Sequence, residues 1–236
     1  MLSFVIPAHD EAPLIGAALA ALHSAAAQAG APYEVIVADD SSTDGTAAIA
    51  RRAGARVVRT ERRQIAVARN AGAALAQGDV LVFVDADTLV TGEAVRGALE
   101  AVRGGAVGGG TVVRFDEPMP RYARIMAATF LWIYSRLGLA TGCFLFCRRD
   151  AFLAAGGFDE CLFAGEEIAL SRSLRKQGRF VILREPVVTS ARKMRTYSGW
   201  EMFETFLRLG LAGPRALRDR SRLAMWYEPR RKDPAA

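Results

Sequence analysis

Asp79-Val-Leu-Val-Phe-Val-Asp-Ala-Asp-Thr88 is the stretch from which the rest of the chain can be read. Its apolar residues, Val80 to Val84, run without alternation, as in a strand buried on both faces of a parallel sheet. The run stops at Asp85-Ala86-Asp87, so two carboxylates emerge at the strand's carboxyl end. In open α/β sheets, ligands bind in the crevice beyond those ends. Carboxylates spaced i, i+2 on a loop can share a hard divalent cation that also holds a diphosphate, because Mg²⁺ takes oxygen ligands and often draws them from a substrate. Taken alone, Asp-x-Asp is equally a polar turn after a strand. The flanking sequence decides.

Upstream, Leu2 to Ile6 reads as a first buried strand ending at Pro7-Ala8-His9-Asp10-Glu11, and Pro13 opens a helix over Leu14 to Ala29 that Gly30 stops. Tyr33 to Ala38 is a second strand, broken by Asp39-Asp40-Ser41-Ser42-Thr43-Asp44-Gly45-Thr46, whose side chains supply turns and helix N-caps. A short helix to Gly54, a strand from Arg56 to Arg59, and a helix from Gln64 to Ala76 follow, with Gly78 just before the central strand. Strand and helix alternate four times in about 85 residues, which predicts a right-handed βαβ sheet. The run Gly104 to Gly110 lacks dinucleotide-loop spacing and reads as a turn leading into a strand.

Length and composition bound the rest. A chain of 236 residues, half of them hydrophobic, suits one large or two small domains with a full core. Three cysteines, Cys143, Cys147 and Cys161, are sparse and odd in number, which points to a reducing compartment and free thiols rather than a zinc site. The first residues enter a strand directly, so no signal peptide is expected, and the apolar stretch Ile125 to Tyr134 is too short to span a bilayer. The net charge of +6 fits anionic partners: nucleotide diphosphates or acidic membrane. No nucleic-acid motif is present, nor a Walker loop or G-x-S-x-G.

The ordered set Pro7-Ala-His-Asp-Glu11, Val37-Ala-Asp-Asp-Ser-Ser-Thr-Asp-Gly-Thr46, Ala68-Arg-Asn-Ala-Gly72 and Val84-Asp-Ala-Asp87 resembles family 2 glycosyltransferases with the GT-A fold. Gly142 to Arg149, Gly156-Gly-Phe-Asp-Glu160 and Glu166-Glu-Ile-Ala-Leu170 continue the likeness, so it covers residues 1 to 190. It implies a Rossmann-type, mostly parallel twisted sheet flanked by helices, with a nucleotide-binding half (1–103), an acceptor-binding half (104–190) and a C-terminal helical extension (191–236).

The resemblance also implies roles. Pro7, Ala8 and Glu11 line the nucleotide-sugar site, Asp39 takes a base N–H with Asp40 in support, and Arg69 faces the nucleotide; helix-surface pairing is the other reading of Arg69. Asp87 is the metal ligand for Mn²⁺ or Mg²⁺, with Asp85 placing the ribose or a metal-bound water. His9 stands in the nucleotide loop where the family often has Asn or Tyr; His23 reads as structural. The family often adds a histidine ligand from its C-terminal part, and no histidine follows His23. In its place Arg192 and Arg195 can clamp a diphosphate, or simply belong to a solvated basic loop. Glu166-Glu167 opens a helix where the family has Glu-Asp, the second residue being the base, so Glu167 takes that role. Its attack on the sugar face opposite the leaving group implies inversion.

Past residue 196 the likeness fades. Trp200, Phe203, Phe206, Leu207 and Leu211 share a helical face, and Pro214 to Ala236 carries seven Arg/Lys against three acidic residues, with Trp226-Tyr227 among them. Such a segment suits an anionic membrane surface, or packing on its own domain or a twin subunit. The expectation is a cytoplasmic, metal-dependent, inverting enzyme using a UDP- or GDP-sugar and a hydroxyl acceptor that can be lipid-linked, with peripheral membrane contact. The alternatives are a nucleotide-sugar-binding scaffold and a nucleotidyltransferase, whose Gly-rich phosphate loop is missing.

Overall fold

Residues 1–228 are described by the computed structural model. The first half runs β1 (Leu2–Ala8), α1 (Ala12–Ala29), β2 (Tyr33–Asp40), α2 (Thr46–Arg52), β3 (Arg56–Thr60), α3 (Ile65–Leu75) and β4 (Val80–Val84). Its strands lie parallel in the order β3-β2-β1-β4, as strand–helix alternation predicts. All of β4 is buried, as an unbroken apolar run requires. Among the described helices α1 is long and apolar enough to cross a bilayer. Here its Ile15, Leu19 and Leu22 pack instead with Phe4 and Val82 in the core. On the other face α3 lies close to β1 because Gly72 has no Cβ to strike the Val5 side chain.

The second half contains β5 (Thr88–Leu89), α4 (Gly92–Arg103), β6 (Gly108–Phe115), α5 (Arg121–Leu137), β7 (Phe144–Arg148), α6 (Arg149–Ala154), α7 (Glu166–Gln177), β8 (Phe180–Thr189), α8 (Arg192–Thr196), α9 (Gly199–Ala212) and α10 (Ala224–Tyr227), with 3₁₀ turns between α9 and α10. The whole sheet has the order β3-β2-β1-β4-β7-β6-β8-β5. It is mixed rather than mostly parallel in this half: β7 runs against both β4 and β6, and β5 against β8, while β6 and β8 are parallel. The glycine run extends into β6 itself. A Cβ on Gly108 would lie 2.6 Å from the Phe146 carbonyl, so small residues are what let β6 and β7 approach here.

All three cysteines are free thiols. His23 is structural: its ring nitrogens meet the Tyr33 hydroxyl and the Ala53 carbonyl, each at 2.9 Å. The consequence of this topology is that the carboxyl ends of β1, β2, β4 and β8 face the amino end of α7.

Candidate active site

Pro7 and Ala8 close β1, in register with Ala38 and Asp39 of β2. Asp39 is buried and accepts the Ser42 N–H at 3.3 Å through Oδ1. Among the described residues its other oxygen has no protein partner. Asp40 is committed elsewhere, because neighbours on a strand point to opposite faces. Its Oδ1 accepts the N–H groups of Arg62 (3.0 Å) and Arg63 (2.9 Å), and its Oδ2 accepts that of Gln64 (2.6 Å). Asp40 therefore holds the entry to α3 rather than supporting Asp39. His9 is tied down beside it, with Nδ1 2.7 Å from the Asp40 carbonyl and Nε2 3.1 Å from Asp10.

Arg69, only 2% exposed, ties the two halves together. Its Nη2 donates to Asp85 (2.9 Å) and to the Gly142 carbonyl (3.3 Å), and its Nη1 to Glu166 (2.7 Å). The guanidinium carbon lies 5.2 Å from the centre of the Phe158 ring. Burial works against the charge of Arg69, but Asp85, Glu166 and Glu167 outweigh it and raise the pKa. Asn70 fixes the loop beneath, donating to the Phe158 carbonyl (2.9 Å) and Glu160 (2.8 Å) and accepting the Phe158 N–H (2.9 Å).

Asp87 sits at the other side of Asp85. Thr88 donates to the Thr189 hydroxyl at 3.0 Å, and Thr189 donates to Asp87 at 3.3 Å. Burial, with the Glu11 and Asp85 carboxylates, pushes the Asp87 pKa up to about 6 against the opposing pull of Arg192 and Lys193. Glu11 receives Arg192 on both oxygens (2.8 and 2.9 Å), while its N–H donates to Thr46 (2.8 Å). Arg192 is thus part of the carboxylate cluster. Arg195 is drawn out of it by Asp116 (2.7 Å), which also accepts the Ala191 N–H (2.6 Å).

A divalent cation fits these donors. Asp85 and Asp87 are hard oxygen donors, and a cation would relieve the repulsion between them and the nearby Glu11, whose two oxygens Arg192 already takes. Among the described residues no three His, Cys, Asp or Glu side chains gather to hold an ion by themselves. Asp87 and Asp85 would therefore supply the protein oxygens, and diphosphate and water the remainder.

At the far end, Gly165 takes a left-handed turn (φ 74°) into α7. Glu166 is buried against Arg69. Glu167 is half-buried, makes no ion pair among the described residues, and has its pKa pushed up to about 8 by burial and by Glu166, with Arg69 opposing. Tyr134 of α5 stands near; burial and then Glu167 and Glu166 raise its hydroxyl pKa.

The loop before α7 is held by the C-terminal segment. The Phe163 N–H donates to the Leu217 carbonyl and the Tyr227 hydroxyl to the Phe163 carbonyl, each at 2.7 Å. Lys193 lies 5.4 Å over the Trp226 ring. Trp226 and Tyr227 therefore pack, half-buried, against Lys193 and the loop before α7. Arg230, Arg231 and Lys232 lie outside the described residues, as does the side chain of Phe206.

Thr46, Asn70, Gly142 and Thr189 complete the site without having been singled out from the sequence, and Tyr227, named above only for its place in the basic tail, joins them. Thr46 and Asn70 stand within the motifs quoted above, and Gly142 opens another. Thr189 has no local signal, since only β8 pairing brings it to Asp87.

A mixed sheet with this acidic cluster at its strand ends is the GT-A fold. The family model Glycosyl transferase family 2 matches residues 3–154, and the chain belongs to that family. Solved structures share the fold at low identity. The mannosyltransferase PcManGT from Pyrobaculum calidifontis, in complex with GDP-Man and Mn²⁺, has a TM-score of 0.69 at 20% identity, over 94% of this chain and 64% of that one. TarS 1–349 from S. aureus, in complex with UDP-GlcNAc, gives 0.63 at 20% identity, over 81% and 58%. Glucosyl-3-phosphoglycerate synthase from Mycobacterium tuberculosis, in complex with Mn²⁺, UDP and glucosyl-3-phosphoglycerate, gives 0.60 at 18% identity, over 96% and 80%. The chain thus spans less than two thirds of the first two. No curated protein matches it.

Proposed function

We propose that this chain transfers a sugar from a UDP- or GDP-sugar to an acceptor hydroxyl, with inversion at the anomeric carbon. The observation that carries the reading is the pair of carboxylates that make no ion pair among the described residues, Asp87 and Glu167, at opposite ends of the Asp85–Arg69–Glu166 chain. The free oxygen of Asp39 accepts an N–H of the base. Asp87 and Asp85 hold Mn²⁺ or Mg²⁺, which when bound compensates the charge developing on the departing diphosphate. Arg192 adds a guanidinium beside that diphosphate. Arg69 holds Glu166 in place, and Glu167 takes the proton from the acceptor hydroxyl.

One observation favours a second reading, a nucleotide-sugar-binding protein with little turnover: Glu167 is one methylene longer than the family's aspartate, and a third protein metal ligand is missing among the described residues. The test is a panel of nucleotide sugars screened by thermal shift and calorimetry with and without Mn²⁺, followed by product analysis. Metal-dependent binding of a UDP- or GDP-sugar that Asp87→Ala abolishes is expected, with an inverted product. Undiminished binding in Asp87→Ala would remove the metal role. Binding without product would leave the scaffold reading.

A further inference from the structure

The surface feature that the transfer reaction leaves unexplained is α5. Its buried side chains are the small Ala123 and Ala127, while Ile125 (70% exposed), Trp132 (60%), Phe130, Ile133 and Leu137 face out. Isolated apolar residues on a surface are ordinary, but five large ones on one helix make a patch. The same helix carries Arg121, Arg124 and Arg136 and no acidic residue. Arg136 lies 5.2 Å over the Trp132 ring, leaving an indole and a guanidinium stacked at the surface.

The amphipathic helix α9 adjoins it. The Tyr122 hydroxyl donates to the Met194 and Tyr197 carbonyls (3.3 and 3.1 Å), and a Cβ on Gly199 would lie 3.1 Å from the Tyr122 ring. Immediately beyond this joint, Trp200 (71%), Phe203, Leu207 and Leu211 (81%) are exposed. The two carboxylates of α9 are already used: Glu201 caps its own helix with Ser198, and Glu204 pairs with Arg208 at 2.5 Å. The two helices together therefore present apolar side chains with a surplus of arginine.

We propose that α5 and α9 form a docking face for an anionic lipid bilayer. Apolar side chains flanked by Trp and Arg are what an interfacial helix places at the boundary between headgroups and acyl chains. A second copy of the chain is the poorer occupant. Arg124 is answered by Glu117 (3.0 Å), just ahead of the helix, but a two-fold interface through α5 would still bring Arg121 and Arg136 towards their own images with no carboxylate on that helix to answer them, and juxtaposed like charges oppose association. The face also ends beside α7, the helix that carries Glu167: the Leu137 carbonyl at the end of α5 accepts a hydrogen bond from Arg175 of α7 (2.5 Å). An acceptor hydroxyl carried in the membrane would thus be presented beside Glu167, a corollary that rests on the transfer reading above; the docking itself does not.

The test is co-sedimentation of the full chain with vesicles of phosphatidylcholine alone or mixed with phosphatidylglycerol, at low and high salt. Expected is binding that needs the anionic lipid, is weakened by salt, and falls roughly fivefold when Arg121 or Arg136 is removed from α5, and less for Arg124, which pairs with Glu117. Brominated acyl chains should quench Trp132 and Trp200, leaving a Trp132→Phe/Trp200→Phe variant, which retains Trp226, unquenched. Ile125→Ser and Leu211→Ser should weaken vesicle binding while nucleotide-sugar affinity in solution is unchanged, so failure of the transfer reading and failure of this one are read separately. A chain that does not sediment with anionic vesicles at low ionic strength, that binds neutral vesicles equally well, or that forms a lipid-indifferent dimer in light scattering overturns the proposal.

Discussion

Asp87 and Glu167 flank one buried chain of charges, and the protein treats them differently. Between them, Asp85 and Glu166 share Arg69; the arginine and Glu166 are buried, while the Asp85 side chain stays a third exposed. Asp87 has its own counter-charges in Arg192 and Lys193, and burial with two carboxylate neighbours moves it only to about 6. Among the described residues Glu167 has no cation to itself. Its opposing charge is the same Arg69, and it moves to about 8. The difference is thus one of who shares the arginine. Burial and carboxylate neighbours thus raise Asp87 less than Glu167, and a carboxylate raised towards neutrality is what the proposed general base calls for.

The largest way to break that comparison is Glu167→Gln, which keeps size and hydrogen bonding but cannot take a proton. Turnover should fall about 10²–10⁴-fold in steady-state assays while calorimetric donor affinity survives. A severe loss in Glu166→Gln beside a mild one in Glu167→Gln would exchange the two roles. Next in size is Arg69→Leu, which strands Asp85 and Glu166 without their cation. Urea unfolding should show a loss of about 3–5 kcal/mol, as breaking a buried ion pair from one side does. A loss too small to resolve would mean that water already shares the network.

Much of this was legible in the sequence, for physical reasons. The unbroken apolar run of β4 and the regular strand–helix alternation before it encode a parallel half, because burial on both faces and crossover handedness leave few other solutions. Strand direction in the second half has no such signature: nothing in Phe144 to Arg148 reveals that β7 runs against β4, since periodicity reports burial and not direction. The site divides along the same line. Asp39, Arg69, Asp85, Asp87 and Glu167 announce themselves by motif, but that Asp40 would cap the entry to α3, that Asp116 would claim Arg195, and that Thr189 would reach Asp87 are facts of tertiary placement. The tail was legible least. Trp226 and Tyr227 suit a membrane surface or packing on their own domain equally by composition, and they fold back over Lys193 and Phe163; the apolar face from Trp200 to Leu211 is exposed on α9, and α5 adds a second exposed face that no motif announced.

The adjacent aspartates give a smaller test of how far environment overrides residue type. Asp40→Ala removes the acceptor of three backbone N–H groups and should cost about 2–3 kcal/mol of stability, chiefly by leaving buried donors unpaired. Asp39→Ala should cost little stability and should weaken nucleotide binding instead. Thermal unfolding and calorimetry on the two variants separate these outcomes, and a reversed pattern would move the base-binding role to Asp40.

The subtlest pattern to read is the pH dependence of stability. Glu167 is raised from an ordinary 4.5 to about 8, so between those values the native protein holds a proton that the unfolded chain has released. Stability falls with rising pH wherever the native state binds more protons. The contribution of this group is therefore fully present below the lower value and is lost as pH climbs through the upper one. Asp87 adds a similar but narrower window, from 3.8 to about 6. Glu167→Gln removes the first window and Asp87→Asn the second. Without metal or nucleotide, Glu167→Gln should match the wild type in thermal unfolding at about pH 5 and exceed it at about pH 9, whereas the gain from Asp87→Asn should already be complete near pH 7. The same proton should appear in turnover as an acidic limb that rises while Glu167 ionises. If stability of the wild type and Glu167→Gln runs parallel across the whole range, Glu167 is ionised like any surface glutamate, and its contrast with Asp87 disappears.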